Sequence, residues 1–117
     1  MNLLVIVLNE VNYLDDILEG FVEIGVKGAT ILDSQGMGAA ITSSGKGKDL
    51  FLGGIRSMLE NAKPYNKTIF AVIKDKDILQ KAVELVENIA GDMSKPGIGF
   101  MFTIPEVEVL GKYSARN

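Results

Sequence analysis

Asn2-Leu3-Leu4-Val5-Ile6-Val7-Leu8, near the start of the chain, is apolar without a break from Leu3 to Leu8 and rich in β-branched residues. A strand with one wet face would alternate apolar and polar residues, and this one does not. The run predicts a strand covered on both faces. It lacks a basic leader, and Asn9-Glu10 interrupts it too early for a signal peptide or a membrane span.

The pattern then changes period. Leu14, Ile17, Leu18, Phe21 and Ile24 fall on one helical stripe, with Asn12 expected as the N-cap, Asp15 and Asp16 in the first turn and Gly25 as the stop. Gly28 leads into a second strand, Ala29 to Gln35. Residues 36–48 hold four glycines with Thr42, Ser43, Ser44, Lys46 and Lys48, and read as a mobile surface loop. Leu50 to Asn61 has the spacing of a short helix weakened by Gly53-Gly54, and Pro64 ends it. Thr68 to Ile73 predicts a third strand. A second long helix follows, capped by Asp75 or Asp77 and stopped by Gly91. Residues 91–97 read as a polar loop, Ile98 to Ile104 as a fourth strand, and Val107 to Leu110 as a short tail strand.

The order β-α-β-(loop, short helix)-β-α-β is that of the ferredoxin-like split βαβ, an α+β sandwich filling residues 1–117 as one domain. Both helices would lie on one face of an antiparallel sheet. Strands apolar on both sides would leave the other face bare, a patch too large for a monomer, so a homo-oligomer is expected to cover it.

Composition removes many chemistries. The 117 residues include no cysteine and no histidine. That excludes disulfides, thiolate nucleophiles, zinc knuckles and Ser-His-Asp relays. A net charge of −3 argues against general nucleic-acid affinity. A cytoplasmic protein without a membrane span is the expectation. Asp15, Glu19 and Glu23 form a row opposite the apolar stripe and read as a solvated face, as do Lys74, Lys76 and Lys81. Asn66-Lys67-Thr68 fits a glycosylation acceptor and is read as chance.

Glycine-rich loops invite phosphate, because small residues let backbone N–H groups approach an anion. The formal patterns fail here. Gly45-Lys46 has Ala40 where a Walker loop would begin, and Ile41 stands where the dinucleotide fingerprint needs its third glycine.

Order and spacing nevertheless suggest a family. Tyr13-Leu14-Asp15-Asp16-Ile17-Leu18, then Glu23-Ile24-Gly25-Val26-Lys27-Gly28-Ala29-Thr30-Ile31, then Gly36-Met37-Gly38, resemble the first half of the nitrogen-regulatory PII signalling proteins. The resemblance resumes in the third strand, the second helix and residues 91–97. It implies a homotrimer of ferredoxin-like subunits that binds an adenine nucleotide (ATP, ADP or AMP) in clefts between neighbours. Thr30 would lie in the adenine pocket, with Gly36, Met37 and Gly38 at the base of the signalling loop. Gly91, Asp92, Lys95 and Gly97 would form the phosphate loop. Residues 39–48, with Thr42, Ser43, Ser44, Lys46 and Lys48, would meet a partner protein. No required cofactor and no metal site are expected in this chain.

Three departures weigh against 2-oxoglutarate sensing, uridylylation and part of the phosphate contacts, in that order. Ala40 replaces the family's metal-holding glutamine, no tyrosine occurs in residues 39–50, and Val109-Leu110-Gly111-Lys112 replaces its Arg-x-Arg pair. The alternative reading is a ferredoxin-like amino-acid-binding regulatory module without nucleotide contacts. Catalysis is not expected: an acylphosphatase-like site needs an arginine after the first strand, and residues 9–13 hold none.

Overall fold

The computed structural model describes residues 1–43, 65–95 and 97–111. Its strands are β1 (Asn2–Leu8), β2 (Thr30–Ser34), β3 (Asn66–Ile73) and β4 (Gly99–Ile104). Helices α1 (Leu14–Ile24), α2 (Met37–Ser43) and α3 (Lys76–Ala90) connect or extend them. The sheet order is β2-β3-β1-β4, and every neighbouring pair is antiparallel. This is an α+β fold consistent with the ferredoxin-like βαββαβ arrangement.

Two periodicities meet in the core. Leu4, Ile6 and Leu8 of β1 alternate onto one face with Ile69, Ala71 and Ile73 of β3. Ile17 and Phe21 of α1, and Ala82, Val86 and Ala90 of α3, close over that face as one buried cluster. Gly20 sits where α1 meets α3, with Leu85 Cδ2 only 2.5 Å from where a β-carbon would stand.

The helix ends follow from capping. Gly25 takes the left-handed conformation, and its N–H donates to Val22 O at 3.2 Å while that of Val26 donates to Phe21 O at 2.8 Å. Asp75 caps α3 by accepting from the N–H of Asp77 at 2.7 Å and of Ile78 at 3.3 Å. The start of α1 differs from expectation. A 3-10 turn over Val11–Tyr13 leads into the helix, Tyr13 occupies the cap position, and Asn12 does not cap it.

Residues 37–43 also correct the reading of a loop over 36–48. Met37–Ser43 is helical, with Ala40 N–H donating to Gly36 O at 3.0 Å. The alanines favour helix more than the flanking glycines oppose it. The tail strand does not form; the residues near it make one link, Val107 N–H to Met1 O at 2.8 Å. The short helix expected over Leu50 to Asn61 lies outside the described residues.

The opposite sheet face is apolar as well. Val5 lies between Phe70 and Phe102, and Leu3 between Val72 and Ile104. The Phe100 and Phe102 rings stack with centroids 6.2 Å apart. Phe100, Phe102 and Ile104 each keep about half their surface in water, at 54%, 44% and 45%. No described helix is long and apolar enough to cross a membrane.

Strand β4 can approach β1 only because its first residue is glycine. A β-carbon on Gly99 would stand 2.1 Å from Val7 O, and the backbone there has φ +139°. Gly99→Ala is expected to cost at least about 2 kcal/mol in urea unfolding. Gly36→Ala, which meets nothing within 4 Å, should stay within about 0.5 kcal/mol of the parent.

Candidate ligand site

The antiparallel register carries several chain segments to one end of the sheet. Ser34 pairs with Asn66, Lys67 with Leu8, and Leu8 with Gly99. The end of β2, the end of β1, the start of β3 and the start of β4 therefore lie side by side. Residues 36–38 leave from this end, and residues 91–97 return to it.

The two glycine segments nevertheless occupy opposite edges. β2 and β4 are the outer strands, so three strand spacings, roughly 14 Å, separate them. Thr30 lies at the far end of β2, four residues and about 13 Å along the strand from Ser34. One chain thus aligns the expected contact residues without gathering them into one hollow. Met37 is exposed at the start of α2, and Gly36 has open space around it. Thr42 and Ser43 end α2. Ser44, Lys46 and Lys48 lie outside the described residues.

Residues 91–95 are better anchored than a polar loop implies. Met93 and Ile98 pack against the buried core. Asp92 Oδ1 accepts from the N–H of Ser94 at 2.9 Å and from its hydroxyl at 2.7 Å, and Lys95 N–H donates to Asp92 O at 3.1 Å. Asp92 therefore shapes the turn. The Ser94 hydroxyl and then its amide hold the Asp92 carboxyl below the ordinary carboxylate value. Lys95 and Gly97 are exposed. A hollow of about 400 Å³ opens beside Glu87, Gly91, Asp92 and Met93.

The sequence reading did not foresee the polar groups at the sheet end. Asn66 is buried, its Oδ1 accepts from the Ser34 hydroxyl, and its Nδ2 donates to Asn9 Oδ1 at 3.2 Å. The Ser34 and Thr68 hydroxyls are 2.7 Å apart. The only signal was a row of short polar residues where strands were expected to end. A cleft of about 630 Å³ lies nearby, lined by Asn12, Asp33, Tyr65 and Lys67 among others. Among the described residues, none of those expected from the sequence to bind nucleotide lines it. Lys67 and Asp33 form an ion pair on its wall. The acidic row Asp15, Glu19 and Glu23 is exposed. Among the described residues, no group of His, Cys, Asp or Glu could hold a metal ion.

Compared with known proteins, the chain matches no family model and no curated protein.

The Asp92 arrangement has a pH consequence. A carboxyl held below its ordinary value of 3.8 favours the turn above that pH, and the preference is lost as pH falls through the folded-state value. Carboxyl NMR should place the Asp92 midpoint below 3.8, and Ser94→Ala should raise it toward that value. An unchanged midpoint would remove Ser94 as the cause.

Proposed function

We propose that the chain is a PII-like signal-transduction subunit that assembles as a homotrimer and binds an adenine nucleotide in the clefts between copies. The observation that carries this reading is the placement of segments 36–38 and 91–97 at one end of the sheet but on opposite edges. A neighbour's β4 edge brought against β2 would bring the two segments together, which a lone chain cannot do. The exposed apolar face over Phe100, Phe102 and Ile104 supplies the drive for assembly.

In such a cleft the nucleotide would lie along β2, its base near Thr30 and its phosphates near Gly36, Met37 and Gly38. The neighbour's Gly91, Lys95 and Gly97 would complete the phosphate contacts. Lys95 brings the positive charge and the glycines allow close backbone approach. Asp92 would act by holding the turn. Ligand contact at the base of segment 39–48 would change its order, and a partner protein would read that change. No step in this scheme is catalytic.

The reading is tested by thermal shift against ATP, ADP, AMP and a panel of amino acids, since a ligand of the native state raises the melting point. A shift with at least one adenine nucleotide, abolished by Gly38→Asp, is expected. No shift with any nucleotide at millimolar concentration overturns it, and a shift with amino acids alone would favour the amino-acid-binding module. Sedimentation should give a trimer, and Phe102→Lys should convert it to smaller species. A stable monomer of the parent chain would contradict the assembly.

A further inference from the structure

We infer that Asn66 is a positioning residue that fixes where the segment Gly36–Gly38 leaves the sheet. Among the described residues β2 is a five-residue edge strand that pairs with β3. Two residues beyond its end, no described atom lies within 4 Å of where a β-carbon on Gly36 would stand. The side chain of Ser34, the last residue of β2, provides the tether.

That tether is a row across three strands. Ser34, Asn66 and Asn9 follow the odd-even alternation onto the same face, one step beyond Leu32, Thr68 and Val7. The Ser34 hydroxyl donates to Asn66 Oδ1 and can accept from Thr68 Oγ1 at 2.7 Å. Asn66 Nδ2 donates to Asn9 Oδ1 at 3.2 Å, and Asn9 N–H donates to Ile98 O at 2.9 Å. The row thus runs from the root of segment 36–38 to the exit of segment 91–97. Asn66 is its middle member and is only 7% exposed. At that burial a lost partner leaves a dry amide unsatisfied, so the row has one low-energy arrangement.

The role of segment 36–38 in ligand contact rests on the function proposed above; the positioning itself does not. Hydrogen exchange on the full chain tests it by comparing peptides over 34–41 with core peptides over 69–73 and 82–86. Ser34→Ala and Asn66→Ala should speed exchange over 34–41 by about five- to tenfold, the size of one or two lost hydrogen bonds, with the core peptides unchanged. Ser34→Thr keeps the hydroxyl and should restore the parent rate. Unchanged exchange over 34–41, or an equal rise everywhere, overturns the inference. If Asn66→Ala does not fold, the two Ser34 variants decide alone. Where the parent binds ATP, Kd should weaken by about five- to tenfold in Ser34→Ala and recover in Ser34→Thr. A parent that binds no nucleotide overturns the functional reading, and the exchange comparison still decides the positioning.

Discussion

Strand β1 is hydrogen-bonded on both sides, to β3 over its whole length and to β4 from Leu3 to Leu8. Everything else in the fold is set by that double pairing. Because alternate side chains point to opposite faces, one register assigns Leu4, Ile6 and Leu8 to the helices and Leu3, Val5 and Val7 to the other side. A slip by one residue would exchange two apolar sets and would carry little hydrophobic penalty. Register must therefore be fixed elsewhere. Gly99, whose backbone closes on Val7 O, and the polar row at Asn9 and Asn66 are the features that allow one alignment only.

Much of this was legible where the information is local. The bounds of β1, the stripe from Leu14 to Ile24, the stop at Gly25, the cap at Asp75 and the stop at Gly91 all depend on residues near one another in sequence. The failures have the opposite character. β3 begins at Asn66, two residues before the first β-favouring side chain, because Ser34 and Asn9 supply partners from 32 and 57 residues away. Met93 reads as part of a polar loop, yet tertiary contact with the core half-buries it. Asn12 was expected to cap α1, but the 3-10 turn before it moves the cap position to Tyr13. Residues 37–43 looked like loop because glycine was given more weight than the two alanines between Gly38 and Ile41.

The candidate site divides along the same line. Glycines and Lys95 were visible as residue types suited to an anion, while their separation across the sheet was not, because it depends on strand order. The polar row that connects the two segments was invisible for the same reason. Each member is an ordinary strand-end residue, and only the pairing of β2 with β3 and β3 with β1 makes a row of them.

Strand order also constrains what kind of assembly could complete the proposed cleft. Segment 36–38 belongs to the β2 edge and segment 91–97 to the β4 edge. Joining them requires unlike surfaces of two copies to meet, which is a heterologous contact. Such contacts cannot satisfy both partners in a two-fold dimer; they close as a ring or continue as a filament. In the proposed assembly the shared apolar face would favour the ring. Three faces turned inward around an axis bury Phe100, Phe102 and Ile104 on every copy, whereas an open filament would leave part of that face in water at its ends. In the proposed assembly each copy would offer its β2 edge to one neighbour and its β4 edge to another, so every cleft would be built from two chains.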